Sequence, residues 1–207
     1  MNSHTRTSQL HDNGILRASL AFAVVILLGM GLLYSLAGTA LGRSLFPRQA
    51  SGSIVMLDGK AVGSSLIAQP FVDPRYFQPR PSAASYDPMA AAGSNQARTN
   101  PDLRKRIEET TTAVAARDGI AVQDVPAELV TQSGSGLDPH LSPVGAQVQI
   151  ARVAQARGMD PSVVAVLVTI HTQAPQFGVL GQPRVNVLEL NLALDKREQI
   201  PQSPEKQ

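Results

Sequence analysis

The sequence predicts a mixed α+β domain anchored by one N-terminal transmembrane helix. Three observations carry that prediction. Residues 18–42 are 25 consecutive residues without a charge. An Asp58-Gly59 pair sits between two short apolar runs. Three helix starts of the same type, Asn100-Pro101, Ser142-Pro143 and Asp160-Pro161, punctuate the second half. The 207 residues suit one domain plus an appendage, or two small domains.

As a helix, the uncharged run is about 37 Å long at 1.5 Å per residue. The hydrocarbon core is about 30 Å thick, so the run spans it with some tilt. Arg17 and Arg43 bracket it. No polar face recurs at a helical period, which argues against a buried soluble helix. Gly38-Thr39-Ala40 offers the alternative of a cleaved signal, but a signal core is about 7–15 residues, shorter than this run. Gly31, Ser35 and Gly38 follow at spacings of four and three, which would leave one narrow face for a partner helix. Arg6, Arg17 and Asp12 lie on one side and Arg43 and Arg48 on the other, so flanking charge does not orient the helix.

Residues 53–67 read as a β-hairpin, with Asp58-Gly59 supplying the positive φ of a tight turn. Residues 69–101 carry Pro70, Pro74, Pro79, Pro81, Pro88 and Pro101, which interrupt helices and central strands. Four of the chain's eight aromatics also fall there: Phe71, Tyr76, Phe77 and Tyr86. A disordered linker is poor in aromatics, so an ordered loop that wraps the core is expected. Asn100 as N-cap and Pro101 at the first helical position start a helix that runs to Arg117, ahead of Gly119. Residues 128–132 read as a short strand. A second helix runs from Pro143 to Gly158 and a third from Pro161 to Gln173, followed by a turn at 177–181. Residues 186–195 are ambiguous in period and read as helix. The boundaries are then 1–17 for an arm, 18–42 for the membrane helix, 43–195 for the domain and 196–207 for a disordered tail.

Composition excludes several functions. Eighteen basic against sixteen acidic residues leave +2, too balanced for a nucleic-acid binder. Zero cysteines exclude disulfides, thiolate metal sites and thiol nucleophiles. Gly59-Lys60 is followed by Ala61 and lacks the earlier glycine of a phosphate loop. The one Asp-Lys pair, Asp195-Lys196, continues into Arg197, so the chain lacks the Asp-Lys-Thr-Gly-Thr setting of a phosphorylated pump subunit. No residue pattern supports a metal site. Ser133 and Ser135 lack the preceding glycine of a nucleophile elbow. A hydrolase using Ser133 or Ser135 with His140 stays as an alternative, as does a small-ligand module walled by residues 71–86. The Ser133-Gly134-Ser135-Gly136 loop could offer amides to an anion or be a tight turn. His140 and His171 suit capping or packing.

The longest distinctive stretch is Thr131-Gln132-Ser133-Gly134-Ser135-Gly136-Leu137-Asp138-Pro139-His140. With 45–53, 63–69, 76–77, 80–83, 93–95, 100–103, 184–188 and 192–195, and with the N-terminal helix, it resembles the KdpC family, the C chain of bacterial potassium-transporting Kdp ATPases. The resemblance covers about residues 17–195. It implies a non-catalytic subunit of an inner-membrane complex with three partners: the potassium-translocating KdpA, the ATPase subunit KdpB and the small KdpF. It further implies a cytoplasmic arm, a periplasmic domain, and a catalytic-chaperone role that raises the ATP affinity of the pump subunit. ATP and potassium would be handled by the complex, with no cofactor held tightly by this chain. ATP is cytoplasmic, so a periplasmic domain could affect it only through a coupling free energy across the membrane. Ser35 stands where the family often has Pro, and Gln173 and Gln182 stand where Glu is common. Carboxylates at 173 and 182 are therefore not essential to the reading.

Overall fold

The computed structural model describes residues 12–199, without the side chains of residues 12, 13, 198 and 199. Two compact units divide at Ser53.

The first unit is one long helical rod. Helix α1 (Asp12–Ile26) passes into a π-helical stretch, Leu27–Leu33, and then into α2 (Tyr34–Leu45). The part Gly14–Leu45 is long and apolar enough to cross a membrane. This helix outruns the expected 18–42 at both ends, because Arg17 and Arg43 are tolerated in a helix beyond any hydrocarbon limit. It stops at Phe46, whose φ of −134° is forced out of the helical region by the following Pro47. Pro47 in turn opens the single turn α3 (Pro47–Ala50). In the π-helical stretch the hydrogen bonds lengthen by one residue, as where the Tyr34 amide donates to the Gly29 carbonyl. No residue of the π stretch or α2 is buried. Large apolar side chains such as Leu20, Phe22 and Leu33 are exposed, as a helix that meets lipid requires.

The second unit begins with β1 (Ile54–Leu57) and β2 (Lys60–Ser64), paired antiparallel. Asp58 and Gly59 have φ of 49° and 76°, the two positive values that the hairpin turn demands. A bulge follows Val55. The second sheet has three short antiparallel strands in the order β3 (His140–Leu141), β5 (Arg184–Asn186), β4 (Thr172–Gln173). Five helices pack with them: α4 (Pro101–Asp118), α5 (Pro143–Gln147), α6 (Ile150–Arg157), α7 (Pro161–Ile170) and α8 (Val187–Gln199). The core joins Phe77, Val114, Leu129, Leu141, Val153, Val164, Val185, Leu190 and Leu194. The unit is thus mixed helix and sheet.

The three Pro-started helices begin where local chemistry places them. Asn100, Ser142 and Asp160 each accept a hydrogen bond from an amide in the first turn, those of Asp102, Gly145 and Ser162. Gly119 and Gly158 close α4 and α6 with left-handed φ of 67° and 62°.

Four expectations change. Residues 128–132 are not a strand: Ala127–Leu129 form a 3₁₀ turn, and the Thr131 hydroxyl and amide both donate to the Ala127 carbonyl. The second helix is two, α5 and α6, broken where buried Gln149 turns its side chain to a distant backbone. The third helix stops at Ile170, because Thr172 and Gln173 pair with β5. Helix α8 continues to Gln199, past the Lys196 where disorder was expected, and residues 200–207 lie outside the described residues, as do 1–11 of the arm. Between Ala68 and Pro101 the chain is almost wholly irregular, yet Phe77 within it is fully buried.

Candidate functional site

The family-like loop 131–140 is a turn set backbone-to-backbone against residues 81–93. The Ser133 amide donates to the Pro81 carbonyl at 3.1 Å, the Gly136 amide to the Ser133 carbonyl, and the Leu137 amide to Ser135 Oγ. A Cβ at Gly93 would lie 2.9 Å from the Gly134 carbonyl oxygen. One at Gly136, whose φ is +72°, would lie 2.8 Å from that of Ala92. Glycine is needed at both places because two backbones meet there.

Asp138 then caps its own turn. Its Oδ1 accepts the His140 amide at 3.0 Å, and its Oδ2 accepts from Arg80 Nη1 at 3.0 Å. The His140 ring stands 3.6 Å from the same carboxylate. Burial pushes the Asp138 carboxyl up, but hydrogen bonds from His140 and Arg80 outweigh it and hold the group below its ordinary value. Among the described residues no hydrogen bond joins His140 to Ser133 or Ser135. Ser133 is 2% exposed. A serine nucleophile with His140 as its base is therefore not assembled.

Asp138 and His140 open onto a cleft of about 300 Å³ with Glu128, Ser142, Gln182 and Arg184. Glu128 is already spent. Its Oε1 accepts the Ser142 hydroxyl at 2.5 Å, and both carboxylate oxygens accept the Ser142 amide. A side chain at Gly145 would collide with that carboxylate. Among the described residues no group of three His, Cys, Asp or Glu side chains could hold a metal ion.

Sequence reading missed the larger polar assembly, which holds residues 74–78 onto the helices. Asn191 on α8 accepts the Phe77 amide at 2.8 Å and donates to the Phe77 carbonyl at 2.9 Å. Gln149 does the same to Gln78, at 2.9 and 3.1 Å. Arg152 donates to the carbonyls of Pro74 and Tyr76 and to Gln149 Oε1, and its Nε lies 2.7 Å from Asp118 Oδ1. Burial pushes the Arg152 pKa down, and the hydrogen bond and charge of Asp118 oppose it. Arg157 reaches the Arg75 carbonyl, pairs with Asp195 at 2.8 Å, and lies 4.9 Å from the centre of the Tyr76 ring. The Tyr76 hydroxyl donates to Asp195, and burial followed by that carboxylate raises its pKa. The one signal for this assembly was polar residues at otherwise apolar helix positions, such as Asn191 among Leu190, Leu192 and Leu194.

In the first unit, Ser35 and Gly38 lie in α2, whereas Gly31 lies in the π-helical stretch. The wider π turn rotates less per residue, so Gly31 is reached from Ser35 through an under-wound turn. Cβ atoms at Gly31 and Gly38 would meet nothing within 4 Å.

These features define a class: among the described residues, one membrane-length apolar helix and a small mixed domain whose backbone is cross-tied by buried polar side chains. The chain belongs to the KdpC family, described as the c chain of the K+-transporting ATPase, which it matches over residues 16–196. A KdpC subunit of the potassium-transporting ATPase of Xanthomonas oryzae is 66% identical over 90% of each chain. One from Shewanella putrefaciens is 51% identical over 95% of this chain and 97% of its own. One from Kineococcus radiotolerans is 52% identical over 86% and 91%.

Proposed function

We propose that this chain is the C subunit of an ATP-driven potassium importer, assembling it and raising the ATP affinity of its pump subunit as a catalytic chaperone. The observation that carries the reading is the family match over 16–196, which takes in both the apolar helix and the domain. In this reading KdpA, KdpB and KdpF are the partners, and they handle the potassium and ATP. The domain sits on the periplasmic side of the inner membrane. Any effect on ATP then passes through the membrane helices as a coupling between two sites. Gly31, Ser35 and Gly38 form the helix surface that meets a partner helix, and the π-helical stretch sets how Gly31 is presented. The loop Ser133, Gly134, Ser135 and Gly136, with Asp138 and His140, acts as a rigid scaffold beside the cleft. The support for a scaffold over an anion cradle is that the amides of Ser133, Gly136 and Leu137 already donate to Pro81, Ser133 and Ser135.

The test is co-expression of the A, B and F subunits with and without this chain. Loss of assembly and a higher ATP requirement without it are expected. Undiminished assembly with unchanged potassium-stimulated ATP hydrolysis would sink the reading. Protease added from the periplasmic side should degrade the domain while leaving the helix.

A further inference from the structure

No Asp, Glu, Lys or Arg lies between Asp160 and Arg184. Part of that stretch is α7, which supplies Val164 and Val168 to the core. The rest closes into a tight hairpin tip that the core does not use. Gln176 and Leu180 face each other: the Gln176 amide donates to the Leu180 carbonyl at 2.8 Å, and the Leu180 amide returns to Gln176 at 2.9 Å. The amides of Gly178 and Val179 donate to Pro175 and Gln176. The tip is therefore a self-satisfied, fixed structure rather than a loose loop.

What it presents is apolar. Phe177 is 83% exposed, Val179 80% and Leu180 57%. Phe177 also holds a φ of +56°, a left-handed conformation that a bulky residue rarely adopts. Strain and exposure at one aromatic give the isolated domain nothing. Val72 and Met89 are also strongly exposed elsewhere, and Val166 and Ile170 are exposed four residues apart on α7. Around the tip stand the exposed amides of Gln173, Gln176 and Gln182, with Gln173 Oε1 accepting a hydrogen bond from the Arg184 guanidinium at 3.2 Å. An aromatic anchor with apolar neighbours inside a polar rim is the composition of an interface centre.

We infer that the tip Gln176–Leu180 is the knob by which this domain docks into an apolar pocket on another subunit of the same membrane complex. Two arguments choose that occupant. A fluid bilayer has no shape, so it gains nothing from fixing one ring by a strained backbone, whereas a protein pocket does. The three side chains expose only a few hundred Å², roughly, below the ~800 Å² per partner of a free-standing interface. So small a contact suits a partner already held at high local concentration, as one anchored in the same membrane assembly is. A soluble protein would need more area. The inference rests on the proposed membership of the complex and names the surface that membership uses.

The test places a benzophenone amino acid at position 177 in the full chain within the assembled complex. Photolysis is expected to cross-link it to one of the larger subunits. Cross-links to lipid alone, or to a second copy, overturn the inference. In parallel, Phe177→Asn and Phe177→Gly remove the ring and keep the left-handed backbone that Asn and Gly accept. Each is expected to cut the chain retained on the purified complex about tenfold or more, with no fall in the melting temperature of the chain alone. Met89→Ser is expected to change neither. Retention of the Phe177 variants equal to wild type overturns the knob while the wild-type chain still co-purifies. Failure of the wild-type chain to co-purify overturns both the knob and the complex.

Discussion

Asn191 holds Phe77 by both polar edges of its backbone, with the amide at 2.8 Å and the carbonyl at 2.9 Å, across 114 residues of sequence. A neighbouring strand would make this pair of bonds in a sheet. Here one side chain makes it, and the irregular segment needs no sheet to be buried. Asn191→Leu should leave two buried backbone groups unpaired and cost about 2–4 kcal/mol. Urea unfolding of the chain in detergent measures it. A loss under ~0.5 kcal/mol would mean that water or another group replaces the side chain.

Asp118 is the counter-charge of Arg152 deep under the same segment, with no exposed side-chain surface of its own. Asp118→Asn should cost about 3–5 kcal/mol, since it strands a buried guanidinium. Arg152→Met alone should also destabilise, because the Pro74 and Tyr76 carbonyls lose their donor. A double-mutant cycle should show coupling above ~1 kcal/mol between the two positions. Additive losses would show that the pair does not act as a unit.

Asp138 gives a pH signature. Its folded pKa lies below its ordinary value, so between the two the unfolded chain binds more protons. Its stabilisation is fully present above the ordinary carboxylate range and is lost as pH falls through the lower folded value. Melting curves from neutral to acid pH should show wild type above Asp138→Asn at neutral pH, with the gap closing in acid. A gap that stays constant down to the most acidic point rules this linkage out.

Two neighbouring glycines should behave oppositely. Gly136→Ala adds a Cβ against the Ala92 carbonyl at a φ of +72° and should cost about 1–3 kcal/mol. Gly134→Ala meets nothing within 4 Å and should stay within about ±0.5 kcal/mol. Thermal melts of the two variants side by side decide it. Equal losses would mean that the loop packing is not what the glycines serve.

On the proposed function, Gly38→Leu should weaken retention of the chain by its partners, since a bulky side chain holds two membrane helices apart. Leu20→Ala, far along the same helix, is the control. Equal retention of Gly38→Leu and wild type by the purified complex would remove this face from the contact.

Much of the domain was legible because its signals are local. A cap and its amide lie within three residues, so Asn100, Ser142 and Asp160 announced α4, α5 and α7 without any knowledge of the fold. Asp58-Gly59 announced its hairpin for the same reason. Local signals also misled. Residues 128–132 have strand-like side chains, but no neighbouring strand pairs with them, and the Ala127 carbonyl takes the turn instead. The three strands of the second sheet are two or three residues long, and each is defined by its partner rather than by its own composition. Of the candidate site, the Asp138–His140 contact lies within one turn and could be read. The separation of His140 from Ser133 and Ser135 could not, because it depends on how the loop packs against residues 81–93.

By itself the sequence determined the long apolar helix, the hairpin, the capped helices and the family to which the chain belongs. The first three rest on composition or on spacings of a few residues, and the family on a resemblance that runs along nearly the whole chain. Only the tertiary structure decided which buried amides and guanidinium grip residues 74–78, where the second helix breaks, and that Phe177 stands exposed on a strained turn. Those outcomes require groups as far apart as 71 and 114 residues to find the same place. Buried backbone groups must find partners wherever the packed chain leaves them, and no local pattern says where that will be.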